Sequence, residues 1–337
     1  MRGVLVREWT AFENLELADC PVPEPGPGQV RIATKAAGMS FAVSLVVAGK
    51  YQRKPPLPFV PGSEVAGVVT EVGAGVTRFR PGDRVCAVVD WGGLAEVAVA
   101  NEVNTFRIPD SLAFHWAICF TNSYGTSYAA LVWPHLLHVQ AGQTLLVHGA
   151  AGGVGLAAIE IGKILGATVI ATAGSDKKLS VAREHGADHT INYREGPFRE
   201  RVLDLTGGEG ANAIYDPVGG EVFMESLRCI APEGRIVPVG FAGGTIQQIP
   251  ANILLVKNIT VCGLNMGYYV GWSPKDVRHE YAERMHEMMA QLFAWFEEGK
   301  LHPRVAQIFA LEDFQAAMAL VLGRQAIGRV AIVMDGA

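Results

Sequence analysis

The sequence predicts an α/β protein in two parts: a compact β-rich part, then a doubly wound parallel sheet, with a helical return at the C-terminus. Three observations predict this. Short valine-rich runs bounded by Pro and Gly crowd the first third. Strand-like and helix-like runs alternate from about Thr144. A knot of glycines sits at the first strand-to-helix junction of that alternation.

The β-rich part reads from "GVLVREW", "QVRIATKAAG", "EVAGVVTEVG", "DRVCAVV" and "LAEVAVA". Alternation of this kind between close turn signals predicts a small barrel or sandwich. "PVPEPGPG" (Pro21–Gly28) carries six Pro or Gly in eight residues and is a loop, and "GAGVTRFRPGD" (Gly73–Asp83) is a second turn-bearing connection.

In the α/β part, strands are expected at Thr144–His148, Thr168–Ala173, His189–Ile191, Ala213–Tyr215, Arg235–Val239 and Ile259–Leu264. Helices are expected at Val154–Leu165, Lys177–Glu184, Phe198–Leu205, Gly220–Cys229 and around Ile253. Apolar strands separated by helices mean a parallel sheet covered on both faces. Val277, Tyr281, Met285, Met288, Met289, Leu292 and Phe296 then recur at helical spacing. They predict one long helix over Pro274–Glu298, capped by Ser273 and closed by Gly299, with its methionines in the core. A helix at Leu311–Leu322 and a strand at Arg329–Met334 end the chain.

Bulk numbers narrow the function classes. The 337 residues are 50% hydrophobic and 18% charged, with a net charge of -5, enough for two sizeable cores. Neither a basic face for nucleic acid nor a polybasic membrane patch is expected. The five cysteines are scattered with no C-x-x-C pair, so no disulfide framework or zinc lobe can be read. With no signal-peptide core and no membrane-length apolar run, a cytoplasmic protein is expected. The nine histidines are dispersed, and His135 and His138 read as loop residues rather than metal ligands.

The chemistry concentrates in "LLVHGAAGGVGLAAIEIGKILGATVIATAGSDKKL" (Leu145–Leu179). Against the pattern G-x-G-x-x-G, Ala150 stands in the first glycine's place, Gly152 and Gly155 hold theirs, and Gly153 and Val154 lie between. Gly152 lets backbone N–H groups approach a pyrophosphate at the positive end of the following helix, and Gly155 permits close helix–strand packing. A site for a dinucleotide without an extra phosphate would end the second strand in Asp or Glu, to bind the ribose. This strand ends at Ala173, followed by Gly174, Ser175, Lys177 and Lys178. An acid there would repel each charge of a 2′-phosphate by about 4 kcal/mol at 4 Å and an effective dielectric near 20. Ser and Lys in its place predict NADP(H), with Asp176 directed to solvent.

The chain resembles the zinc-free quinone oxidoreductase branch of the medium-chain dehydrogenase/reductase superfamily. The resemblance rests on "VPGSEVAGVVTEVGAGVTRFRPGDRV", the glycine-rich stretch, "GADHTINYRE", "YDPVGGEVF" and "GRIVPVGFAGG". It implies a GroES-like β-barrel catalytic domain over 1–123 and 266–337, and a Rossmann domain over 124–265 between them. It also implies a 2′-phosphate pocket from Gly174, Ser175, Lys178 and Tyr193, Thr126 near the nicotinamide, and Phe241 along the cofactor. Where the superfamily's zinc enzymes carry Cys, Asp and His, "GMSFAV" and "GSEVAG" give Ser40, Val43 and Ser63. No catalytic zinc is expected, and Ser40 also departs from the quinone reductase branch, where Asn and Asp are usual at positions 40 and 43.

Hydride delivery to an isolated carbonyl makes a localised alkoxide that a metal would stabilise, whereas quinones and α,β-unsaturated carbonyls delocalise the charge. The reading is therefore conjugate hydride transfer from NADPH to a quinone or enone. Tyr51 is the candidate hydrogen-bond or proton donor, and Ser40 a secondary catalytic candidate. Two other readings stay open: an enoyl-thioester reductase, hinted at by Arg53 and Lys54, and an NADPH-binding protein with little turnover. Tyr268, Tyr269 and Trp272 either clamp a flat substrate in an interdomain cleft or serve packing. "NITVCGLN" (Asn258–Asn265) is expected as a sheet edge that joins two copies into a homodimer.

Overall fold

A computed structural model describes residues 1–334; residues 335–337, the end of the expected 266–337 segment, lie outside the described residues. The chain forms two compact units. One comprises Met1–Asn122, Met266–Glu297 and the stretch from Pro303 on; the other comprises Ser123–Asn265 and Glu298–His302.

The strands of the first unit's N-terminal part are β1 (Arg2–Leu5), β2 (Glu16–Asp19), β3 (Gln29–Met39), β4 (Glu64–Val72), β5 (Arg84–Val88), β6 (Val97–Asn101) and β7 (Thr105–Arg107). The second unit contributes β8 (Thr144–Val147), β9 (Thr168–Ala173), β10 (His189–Asn192), β11 (Ala211–Asp216), β12 (Ile230–Pro238) and β13 (Thr260–Val261). Two last strands, β14 (Val305–Ala310) and β15 (Arg329–Val333), return to the first unit.

In the first unit β3 is the pivot. One of its edges pairs with β4, while the other is divided: Gln29–Ala33 pairs with β6 and Ala36–Met39 with β15. A register shift between Thr34 and Ala36 marks the bend at which the strand passes from one partner to the other. The inward face of the bent sheet holds Val30, Ile32, Val65, Val69, Val85, Ala87, Val89 and Ala98, the valine alternation read from the sequence. Glu64 on β4 is buried, ion-paired with Arg329 of β15 and accepting a hydrogen bond from Asn122 Nδ2 at 2.7 Å.

The second unit is a six-stranded parallel sheet in the order β10-β9-β8-β11-β12-β13. The chain reverses direction of travel between β8 and β11, the place where such sheets open a binding crevice. One face is filled by Leu146, Ile170, Ile214, Phe198, Val202, Phe223 and Leu227. The last four come from helices Phe198–Leu205 and Glu221–Cys229, where i,i+4 spacing puts each pair on one side.

Four differences from expectation have physical causes. The long C-terminal helix begins at Ala282, not Pro274. Ser273 Oγ donates to the Lys275 carbonyl instead of accepting from an amide, and Arg278 is drawn aside by Asp276 and Asp90, so 273–281 is held as turns. The expected strand Ile259–Leu264 shrinks to Thr260–Val261, because left-handed Asn258 closes the preceding helix and a short helix opens at Met266. Helices Phe41–Val47, Phe114–Cys119 and Gly125–Val132 sit in sequence whose Ala, Val and aromatic content suits strand and helix alike. Finally, "VAQIFA" is strand β14, paired in parallel with β15.

Candidate nucleotide site and substrate crevice

The glycine turn connects β8 to the helix Gly153–Ile164. Gly149, one position before Ala150, has φ +55°, and a Cβ on it would stand 3.1 Å from Pro217 Cγ, so the left-handed turn after β8 falls on this glycine. Gly152 is the N-cap and brings no side chain, so the first-turn amides are left to an incoming anion. At Gly155 a Cβ would lie 2.5 Å from the Gly149 carbonyl oxygen and 2.7 Å from Ala150 Cα, so only glycine allows the helix so close. Gly153 and Val154 form the start of that helix, half-buried.

Two supports fix this turn. Ser127 Oγ donates to the Val154 carbonyl at 2.9 Å, which ties the helix bearing half-buried Thr126 to the glycine turn. The Ser127 hydrogen is thereby used, so the Tyr215 hydroxyl donates to Ser127 Oγ across 3.0 Å. On β11, Asp216 Oδ1 accepts from the amides of Val218 and Gly219 at 2.7 and 3.0 Å and shapes the facing turn. Phe241 lies over that turn, and a Cβ on Gly219 would meet its Cδ1 at 2.8 Å.

At the end of β9, Gly174 packs against the ring of Tyr193, which is half exposed. Ser175 caps the helix Asp176–Glu184, its Oγ accepting from the Lys178 amide at 3.5 Å. Burial, and secondly the charge of Arg194, hold the Lys178 ammonium below the usual lysine range. An anion arriving between these cations would relieve that repulsion. Arg194, which is not among the residues singled out from the sequence, follows Tyr193 directly in "NYRE". Asp176 is exposed as expected, but it accepts a hydrogen bond from Asn192 Nδ2 at 3.3 Å. The structure thus brings Gly174, Ser175, Lys178 and Tyr193 together, in a cradle that fits a phosphate-bearing ribose.

In the first unit, Tyr51, Arg53, Ser63, Asp90, Trp91 and Trp272 line a narrow cleft with about 430 Å³ of empty space, counting the part open to solvent, and Val43 and Phe59 stand in its apolar wall. Burial pushes the Tyr51 phenol above its ordinary pKa, so it stays protonated at neutral pH. The expected aromatic cluster divides. Trp272 faces this cavity, whereas Tyr268 and Tyr269 pack edge-to-face with each other and with Tyr281, at centroid distances of 5.0–5.8 Å. Ser40 precedes the helix Phe41–Val47 without a side-chain capping bond and does not line the cavity with Tyr51.

A zinc ion does not fit the donors present. Val43 is apolar, Ser40 and Ser63 offer neutral hydroxyls, and the nearby carboxylates are committed, Glu64 to Arg329 and Asn122 and Asp90 to Arg53 and Arg278. Among the described residues no three His, Cys, Asp or Glu side chains gather at metal distance, and no helix is long and apolar enough to cross a membrane.

Two family patterns match the chain: "Alcohol dehydrogenase GroES-like domain" over residues 26–110 and "Zinc-binding dehydrogenase" over 153–291. Quinone oxidoreductase-like protein 2 of Rattus norvegicus is 40% identical over 94% of this chain and 87% of its own length. The quinone oxidoreductase of Pseudomonas aeruginosa is 35% identical over 95% and 96%. The crystal structure of Escherichia coli quinone oxidoreductase complexed with NADPH superposes with a TM-score of 0.89, at 28% identity over 99% of this chain and all of that one. With its β-barrel unit, its parallel sheet and relatives of this identity along nearly its whole length, the chain belongs to the quinone oxidoreductase branch of the medium-chain dehydrogenase/reductase superfamily.

Proposed function

We propose that the protein is an NADPH-dependent reductase of quinones and α,β-unsaturated carbonyls that works without a metal ion. Residues 124–265 hold the cofactor, and 1–123 with 266–337 hold the substrate. The cofactor reading is supported by the cradle of Gly174, Ser175, Lys178, Tyr193 and Arg194, and by the NADPH complex of the Escherichia coli neighbour. The amides at Gly152, Gly153 and Val154 and the close-packed Gly155 would receive the pyrophosphate, with Thr126 and Phe241 flanking the nicotinamide half.

When bound, the cofactor supplies a hydride, so that quinone, NADPH and one proton give hydroquinone and NADP⁺. The chain's own part is to stabilise the oxyanion that develops on the substrate. The single observation that carries this reading is Tyr51, a protonated phenol half-buried in an aromatic-walled cavity. Its O–H donates to the oxyanion as charge builds, and the proton it passes on is replaced from solvent. Ser40 does not line this cavity, and no catalytic part is proposed for it.

The test is NADPH consumption by desalted, chelator-treated protein with 1,4-benzoquinone, 9,10-phenanthrenequinone, an enone and crotonyl-CoA. Turnover of the quinones or the enone is the expected result. Turnover confined to crotonyl-CoA, or cofactor binding without turnover, would overturn it. Two copies are proposed to join along the β13 edge beside the exposed Leu255 and Val256, in the cytoplasm; sedimentation velocity should find a dimer.

A further inference from the structure

We infer that Arg53 is a specificity residue that selects substrates bearing a carboxylate or comparable anionic group beside the reducible ring. The inference rests on reading the Tyr51 cavity as the substrate site. Arg53 lies over the indoles of both Trp91 and Trp272, its Cζ 5.3 and 5.7 Å from their centroids, inside the range of cation–π attraction. Stacked in this way, the guanidinium can offer only its edge.

Most of that edge is unspent. Among the described residues Arg53 makes one hydrogen bond, from Nη1 to Asp90 Oδ1 at 2.9 Å. Asp90 is already shared, because Arg278 donates to its two oxygens at 3.0 and 3.2 Å. Asp276, the other acid on Arg278, does not line the cavity. Trp272 adds a buried indole N–H with no partner among the described residues, and Tyr51 a protonated O–H. The wall is rich in donors, and its one carboxylate is already shared between two guanidinium groups. Such a wall matches a ligand group that only accepts, and a planar fork prefers a carboxylate, which takes two parallel N–H bonds.

The test is calorimetric titration of the full chain with 2-naphthoate and with 2-naphthamide, which share shape but differ in charge. Naphthoate should bind about tenfold or more tightly, the span expected of hydrogen bonds to a charged group. In Arg53→Met that ratio should fall to within about twofold. Arg53→Lys, which keeps a charge beside Asp90 but not the fork, should retain an intermediate ratio and covers the case in which Arg53→Met does not fold. Equal affinity in the wild type, no binding of either probe, or a ratio untouched by both substitutions overturns the inference. The underlying reading fails separately: a preserved ratio with no NADPH consumption on any quinone would leave an anion site but no quinone reductase.

Discussion

Gly174 and Tyr193 occupy one site: a Cβ on the glycine would stand 2.7 Å from the tyrosine hydroxyl oxygen and 2.9 Å from its Cζ. Parallel pairing of β9 with β10 sets Ala173 opposite Asn192, so the next residue of each strand must meet its counterpart. The aromatic ring therefore lies flat on backbone, where the sheet ends and the loop of Ser175 and Lys178 begins. Strand register, not chance proximity, brings these two residues together at the proposed phosphate cradle.

From that cradle follows a cofactor prediction. Lys178→Ala and Arg194→Ala should each reduce the preference for NADPH over NADH by about tenfold, the scale of one charge-assisted hydrogen bond. Fluorescence titration with both coenzymes reads the ratio. Equal weakening toward the two would show that the lysine supports the fold and does not recognise the extra phosphate.

A second prediction concerns packing under the pyrophosphate turn. Gly155→Ala places a methyl 2.5 Å from the Gly149 carbonyl, and neither backbone can retreat without moving the helix. Overpacking of this kind costs about 1–3 kcal/mol. At about 2–4 °C per kcal/mol for a unit of this size, thermal denaturation should shift down by about 2–12 °C.

Much of this was legible in the residues, and the failures are instructive. The parallel sheet could be read because strands such as "TVIATA" are buried on both faces and so lack polar interruption. Gly174, Ser175 and Lys178, proposed for the 2′-phosphate, could be singled out because they follow a strand end at fixed spacing. The proximity of Arg194 to Lys178 depends on the β9–β10 register, which a single strand does not reveal. The helix at Pro274 failed because local periodicity cannot foresee Asp90, 188 residues away, drawing Arg278 aside. Trp272 and the two neighbouring tyrosines looked alike in sequence. Gly271, whose Cβ would collide with the Arg278 guanidinium, lets the chain turn Trp272 away from them.

Tyr51→Phe tests the proton donor. If the phenol stabilises the oxyanion, kcat with a quinone should fall by about a hundredfold or more, the usual scale of a lost acid, while KM moves far less. The pH profile carries a second sign. Burial raises the Tyr51 pKa, so the protonated form, and the activity that depends on it, persists at and above pH 7 and is lost only above the ordinary phenol range near 10. A wild-type kcat that declines between pH 7 and 9 would point to another donor.

The buried imidazole of His148 gives the last prediction. Its Nε2 lies 2.8 Å from Ser226 Oγ, and that hydroxyl already donates to the Val222 carbonyl, so Nε2 must carry the proton. Nδ1 then accepts from Thr172 Oγ1 at 2.9 Å, and the ring is neutral. Burial lowers its pKa, and the Asp216 charge only partly offsets this. Below about pH 6.5 the unfolded chain takes up a proton that the folded ring refuses, so this part of the stability is complete above that pH and drains away as pH falls. His115 and His286 are shifted in the same direction by burial and add to the effect. Between pH 7.5 and 5.5 the urea midpoint should fall, with His148 as one contributor. His148→Gln should lower the midpoint at pH 7.5 and flatten its pH dependence. An unchanged slope would mean that the folded protein accommodates a charged ring at this position.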